Sequence, residues 1–292
     1  MPAIKHFITL NDGTQVPWLA FGTGTVHYRR DATPVVELAL NNGITHLDGA
    51  QAYANEESIG AGIKAAGKPR SELYIVTKLN EHTPVKDVRT SLLSSLQKLG
   101  VDYVDLFLIH SPHGHNSQGT LPALWKEMEE IKKDGLAKSI GVSNFRVEDL
   151  NIVLENAQIK PAVNQIEFHP YVWKAIKPVV ELCKEQGIIV ASYGGRSSIA
   201  RLPGGPVDEV LETIRARVEK THGQPVSAGQ ILTKWILQKN AIVVMTTTKE
   251  SRIKEFIDAE NVPDLTTEEI NAIEDSGSQI HKRIFMRHVF GE

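Results

Sequence analysis

Apolar runs of four to six residues recur along this chain, spaced so that each interval can hold about one helix. They read Trp18 to Phe21, Ile44 to Leu47, Leu73 to Val76, Val104 to Ile109, Ser139 to Val142, Ala162 to Ile166, Ile188 to Ala191 and Ala241 to Met245. Short continuous runs suit strands buried on both faces, as in a parallel sheet covered by helices. The stretches between them, such as Thr33 to Asn41, Asp87 to Leu99, Leu124 to Asp134 and Val207 to Lys220, repeat their apolar positions with a helical period. Gly43, Gly100, Gly135 and Gly187 stand just past such stretches, where helix C-terminal caps belong. Eight alternating units predict an α/β fold, a closed (β/α)8 TIM barrel forming a single domain over 1–292. Ahead of it, Asn11-Asp12-Gly13 between two short runs predicts an N-terminal β-hairpin, His6 to Leu10 with Thr14 to Val16. The segment Gly194 to Pro206, GGRSSIARLPGGP, has too much glycine and proline for regular structure and is expected as a mobile loop over the barrel mouth. A doubly wound sheet is the rival fold. Against it, FGTGTVH after the first run lacks the third glycine of a dinucleotide-binding turn.

Three of the runs end on a charged or titratable residue that packing does not require. Asp48, Lys78 and His110 close the second, third and fourth runs, and Tyr53 follows Asp48 by five positions. In a parallel barrel the C-terminal strand ends share one mouth, so these side chains are expected around one pocket as a proton-transfer set. Asp48 with Lys78 also reads as a plain ion pair between neighbouring strands, and Tyr53 as an ordinary half-buried aromatic.

Composition narrows the field without selecting within it. The 292 residues are 41% hydrophobic and 23% charged, ordinary globular values, and the net charge of −3 without a basic block leaves no footprint for nucleic acid. No segment approaches the ~18 consecutive apolar residues of a membrane span, and the N-terminus lacks an uninterrupted apolar stretch of the secretory kind, so a cytoplasmic protein is expected. The single Cys183 sits on a helical stretch at a core-facing position and reads as an inert buried thiol.

Longer motifs then carry a resemblance. From about Phe7 to Ala259 the chain resembles an aldo-keto reductase, through DGAQAYANEESIG, LYIVTKL, SLLSSLQKLGVDYVDLFLIHSP, LWKEMEEIKKDGLAKSIGVSNF and PAVNQIEFHPY in that order. The resemblance implies a barrel that binds NAD(P)H without a Rossmann fold. It implies Asp48, Tyr53, Lys78 and His110 as the catalytic set, Ser143, Asn144 and Gln165 as partners of the nicotinamide carboxamide, and Tyr193 as the ring stacked beneath it. Without it, Ser143, Asn144 and Gln165 read equally as polar caps at strand ends.

Those residue types fit carbonyl reduction on chemical grounds as well. The oxygen that becomes alkoxide-like needs a proton, and a phenol with a reference pKa of about 10 is a weak donor unless a cation stabilises its phenolate. A lysine ammonium about 4 Å away contributes on the order of 4 kcal/mol at an effective dielectric of ~20, so Lys78 is expected to acidify Tyr53. Asp48 would keep the buried lysine charged, and His110 would donate a hydrogen bond to the substrate oxygen.

Cofactor choice is read from VVMTTTKESRIKEF after the eighth run. A helix starting near Thr248 would aim free N–H groups at a phosphate, with Thr247, Thr248, Lys249 and Arg252 around it, which favours NADPH. The usual family pattern, a lysine directly after the strand and before a serine, is replaced here by Thr246 and Thr247. In this the chain is similar to fungal reductases of conjugated polyketones, ketopantoyl lactone and α-keto amides. Gly24 stands where many relatives have an aromatic wall, and Gly194-Gly195-Arg196 replaces serine-proline-leucine, which predicts a wider pocket. Tyr28, Trp125, Trp173 and the tail Ile284 to Phe290 are candidates to line it. With no additional charged anchor visible, a small-molecule carbonyl substrate of the activated-ketone type is expected, and a monomer or weak dimer.

Two other classes compete. His110, His113 and His115 in HSPHGH suggest a metal-dependent barrel hydrolase, but no carboxylate ligand is near and Pro112 interrupts the segment, so no metal is expected. A non-catalytic cofactor-binding regulatory subunit on the same fold would not need all four proton-transfer residue types.

Overall fold

The structure, a computed structural model, describes residues 4–291. The outermost parts of the domain expected over 1–292, residues 1–3 and 292, lie outside the described residues. Eight parallel strands close into a barrel: β3 (Leu19–Gly22), β4 (His46–Asp48), β5 (Tyr74–Leu79), β6 (Val104–Ile109), β7 (Ala137–Ser143), β8 (Val163–Glu167), β9 (Ile189–Tyr193) and β10 (Ile242–Met245), which pairs back onto β3. Before them β1 (Phe7–Thr9) and β2 (Gln15–Pro17) form the expected antiparallel hairpin. The strand β6 is VDLFLI with every residue buried, as expected of a strand enclosed by its neighbours and the helical ring.

The helices are α1 (Thr33–Asn41), α2 (Glu56–Ala66), α3 (Val88–Leu99), a short α4 (His113–Asn116), α5 (Leu121–Lys133), α6 (Val147–Leu154), α7 (Trp173–Gln186), a short α8 (Ser197–Ala200), α9 (Val207–His222), α10 (Ala228–Leu237), α11 (Glu250–Asp258), α12 (Thr267–Gly277) and a short α13 (Arg287–Phe290). Gly100 and Gly187 cap α3 and α7 in the left-handed conformation their lack of a side chain permits. Two boundaries differ from expectation. The glycine-rich segment 194–206 contains the single helical turn α8, and the last barrel helix starts at Glu250 rather than near Thr248, with Lys249 as its N-cap in an extended conformation.

Polar groups at the N-terminal pole of the barrel serve the fold. Asp105 near the start of β6 accepts from Ile75 N at 2.8 Å and from Arg70 at 2.7 Å, and Lys138 lies 3.1 Å away, so one carboxylate ties together three adjacent strands and a loop. His46, buried on β4, bonds Pro17 O through Nδ1 at 2.8 Å and meets the Tyr74 ring edge-on at 4.7 Å. Burial pushes its pKa down to about 4. The imidazole is therefore neutral when folded but charges in the unfolded chain below about pH 6.5, so its share of stability is present above 6.5 and lost as pH falls toward 4. The difference is on the order of 3 kcal/mol. Thermal melts at pH 7.5 and 4.5 are expected to show a smaller drop for His46→Gln than for wild type; an equal drop would count against His46 as a source of the acid sensitivity.

Candidate active site

Strand register brings the expected proton-transfer residues to one pole. Asp48 is paired with Val76 and Lys78 with Leu108, so the ends of β4, β5 and β6 open at the same height. Lys78 and Asp48 are both buried, with Nζ 2.6 Å from Oδ1. The ammonium has three donors and three acceptors: Asp48, Gly49 O at 2.8 Å and the Tyr53 hydroxyl at 3.5 Å. A buried ammonium matched in this way escapes most of the cost of desolvation.

Tyr53 projects from a 3-10 turn, Gln51–Tyr53, that follows β4. Ala54 after it takes the left-handed conformation, φ 52°, and Asn55 donates to Thr23 O and His27 O at 2.9 Å each, which fixes the turn against the β3 loop. The His110 ring stands edge-on to the phenol with centroids 5.5 Å apart. Two potential hydrogen-bond donors thus flank one spot.

The electrostatics correct one expectation. Burial raises the Tyr53 pKa above its ordinary value by more than Lys78 lowers it, so the phenol is not made acidic in this state and stays protonated through the neutral range. Burial works against the Lys78 charge, but Asp48 and Tyr53 together outweigh it and raise its pKa. The His110 pKa is pushed down to about 3 by burial and then by Lys78, so the ring is neutral at any physiological pH.

A second polar group adjoins the first. Asn144, at the end of β7, has φ 61° and donates through Nδ2 to His110 O at 2.8 Å and to Ser143 Oγ at 3.0 Å. Ser143 Oγ donates to Gln165 O at 2.8 Å, and the Tyr193 hydroxyl donates to Asn144 Oδ1 at 2.6 Å. Gln165 Nε2 donates to Asp48 Oδ2 at 2.7 Å, which ties this group to the ion pair. Burial, then the nearby Glu167, raises the Tyr193 pKa well above normal, so its hydroxyl remains a donor.

A cavity of about 560 Å³ opens on both groups. It is lined by Asp48, Tyr53, His110, Ser143, Asn144, Gln165, Tyr193, Thr246, Thr247 and Arg252, together with Gly24, Tyr28, Phe285 and Met286. Thr248 and Lys249, expected at the same site, are exposed and do not line it, because α11 begins two residues late and directs them outward. Trp125 does not line it either: it packs into the outer layer from α5 and donates to Ile159 O at 2.9 Å. Trp173 is buried against Phe168 and Trp235. Gly24 leaves less slack than its sequence position suggests, since a Cβ there would lie 2.9 Å from Tyr53 Cζ.

Several lining residues were not expected. Arg196 and Arg201 reach the cavity, contrary to the expected absence of further charged anchors. Arg196 lies 3.5 Å from Glu255, which also holds Arg252 at 2.6 Å, and Arg201 lies over the Phe285 ring at 5.1 Å. The three histidines of HSPHGH do not converge: His110 faces Tyr53, His113 packs against His288, and His115 Nδ1 bonds Thr120 Oγ1 at 3.0 Å. Among the described residues no group of three or more His, Cys, Asp or Glu side chains could hold a metal ion. Cys183 is buried with its pKa pushed up to about 12, the state of an inert thiol.

A nicotinamide cofactor fits what is present. Ser143 and Gln165 border the cavity with acceptor capacity left over, and Thr246 lines the same cavity with its Oγ1 buried and without a partner. Comparisons with known proteins agree. The model of the aldo/keto reductase family matches residues 18–277. A Schizosaccharomyces pombe NAD/NADP-dependent indole-3-acetaldehyde reductase is 39% identical over 285 residues, 95% of this chain and 97% of that protein. A Saccharomyces cerevisiae NADPH-dependent alpha-keto amide reductase is 32% identical, covering 99% of this chain and 96% of its own. The crystal structure of a Bombyx mori aldo-keto reductase in complex with NADP superposes with a TM-score of 0.83 at 31% identity, covering 99% of this chain and 97% of that one.

Proposed function

The chain belongs to the aldo/keto reductase family, and from that premise we propose that it reduces aldehydes and activated ketones to alcohols with NADPH. One observation carries the reading: a protonated phenol, Tyr53, meets a fully matched buried ammonium, Lys78, at the floor of a cavity flanked by a neutral imidazole. A reduced nicotinamide, when bound, supplies the hydride. Ser143, Asn144 and Gln165 would hold its carboxamide and Tyr193 would pack against its ring.

Tyr53 donates the proton to the carbonyl oxygen. Its raised pKa describes the resting phenol, which must hold its proton until the oxygen gains charge. Once it has given the proton away, the phenolate faces the Lys78 ammonium, and that attraction offsets the charge left in a dry site. Asp48 keeps Lys78 charged and, through Gln165, links its position to that of the carboxamide group. His110, neutral, orients the carbonyl by donating a hydrogen bond from one ring nitrogen.

The cavity that holds Tyr53 and His110 mixes glycine and apolar side chains, Gly24, Ala52, Phe285 and Met286, with the cationic Arg196 and Arg201. Such a lining favours compact activated ketones with a second carbonyl oxygen, such as α-dicarbonyls, cyclic diketones or α-keto esters and amides, over polyhydroxylated sugars. The relative named for alpha-keto amides supports this. Arg252 at the cavity edge would engage the extra phosphate of NADPH by charge-assisted hydrogen bonds, with Lys249 in a lesser role because it points outward.

The test is coenzyme oxidation with a carbonyl panel, in wild type and in Arg252→Ala. Isatin-like diketones are expected to turn over well above xylose and glucose. The variant is expected to lose about tenfold or more in NADPH affinity while changing little toward NADH. Faster sugar turnover would overturn the substrate class, and equal weakening toward both coenzymes would remove Arg252 from the phosphate.

A further inference from the structure

At the end of β8, Gln165, Glu167 and His169 alternate along the chain, so strand geometry places them on one face. Gln165 belongs to the site already described. Glu167 does not, yet it is fully buried. Its Oε1 accepts from Ile284 N at 2.9 Å and its Oε2 from Phe285 N at 3.0 Å, so two successive backbone amides of the C-terminal segment close on one carboxylate. His169 Nε2 lies 3.0 Å from Oε1, and Arg283, one residue before the two amides, has a guanidinium nitrogen 3.8 Å from Oε2.

What this carboxylate grips is the wall of the cavity. Phe285 and Met286 line it, and the Phe285 ring stands edge-on to Tyr193 at 5.7 Å. Met286 takes a left-handed conformation, φ 52°, which a side chain bears only when its surroundings enforce it. Glu167 is also the register partner of Tyr193 across β8 and β9. The same carboxylate is therefore adjacent to the strand end that presents Tyr193 and bonded to the segment that lies over it.

We propose that Glu167 is a positioning residue that clamps the C-terminal segment at Ile284 and Phe285, so that bulky carbonyl substrates meet a fixed wall of Phe285 and Met286. Only a carboxylate at this position offers an acceptor to each of the two amides. In Glu167→Gln the shape is kept, but one acceptor becomes an NH₂ that faces an N–H donor. Small aldehydes, which need only Tyr53 and His110, do not use the wall.

Two readouts on the full-length chain test this, and the second rests on the reductase reading while the first does not. Hydrogen exchange at the Ile284 and Phe285 amides is expected to be about tenfold or more faster in Glu167→Gln, the fold-change one hydrogen bond to a charged group is worth. In kinetics, KM for an aryl diketone is expected to rise about fivefold or more while kcat for a small aldehyde stays within about twofold of wild type. In a Phe285→Ala background, Glu167→Gln should add little further to that KM, because both act through the same wall. Unchanged exchange at both amides would overturn the clamp. So would equal losses on large and small substrates, or additive effects in the double variant. A wild-type protein that reduced no carbonyl would remove the reductase reading and leave the exchange result to decide on the clamp.

Discussion

Replacing Tyr53 by Phe is expected to abolish reduction while leaving the coenzyme bound. The substitution removes one oxygen. It keeps the ring that packs against His110, and takes nothing from Ser143, Asn144 or Gln165. Proton donation by a positioned side chain contributes about 10²- to 10⁴-fold, and no other described donor at this spot matches the phenol: Lys78 is held by Asp48 and Gly49 O, and His110 is neutral with its pKa near 3. A fall of about 10³-fold in kcat is therefore expected, with the coenzyme dissociation constant within about threefold of wild type. The measurements are single-turnover coenzyme oxidation and fluorescence titration. A variant retaining a tenth of wild-type turnover would take the proton-donor role away from Tyr53.

The same geometry explains why the barrel and the four residues at its floor were legible from the sequence while their energetics were not. Strands buried on both faces must be apolar throughout, so a charge at the end of such a run is conspicuous; Asp48, Lys78 and His110 each end one. The sequence offers only the attraction between Lys78 and Tyr53, whereas the phenol's pKa depends on a competition with burial that only packing reveals, and burial prevails. Helix starts are similarly hidden, since the extended conformation of Lys249 depends on the loop that precedes it. Trp125 misled because an aromatic residue at helical spacing faces the core far more often than a cavity. Arg196 and Arg201 were hidden in a segment read as unstructured, where α8 turns both toward the mouth. Glu167 was visible within NQIEFHPY, and the alternation of Gln165, Glu167 and His169 was the available signal. What it binds lies more than a hundred residues away, a pairing that no local pattern announces.

The buried ion pair makes the second large prediction, because stability and catalysis should separate there. Lys78→Met removes a cation whose three hydrogens are all matched, and it leaves the Asp48 carboxylate buried with Gln165 Nε2 as its one remaining side-chain donor among the described residues. Breaking a buried pair from one side costs on the order of 3–5 kcal/mol, since the orphaned charge keeps its desolvation penalty and loses its attraction. Asp48→Asn combined with Lys78→Met removes both charges, so most of that stability is expected to return, and replacing a buried pair by neutral groups is often close to neutral overall. Activity is expected not to return. Without the ammonium, nothing offsets the phenolate left when Tyr53 gives up its proton, and burial alone then disfavours the transfer. Both variants should be at least about 10²-fold slower than wild type, with the double variant the more stable of the two in denaturant melts. Full stability in Lys78→Met would mean that the pair holds little of the fold together. Recovery of turnover in the double variant would mean that the charge on Lys78 is not what supports the proton transfer.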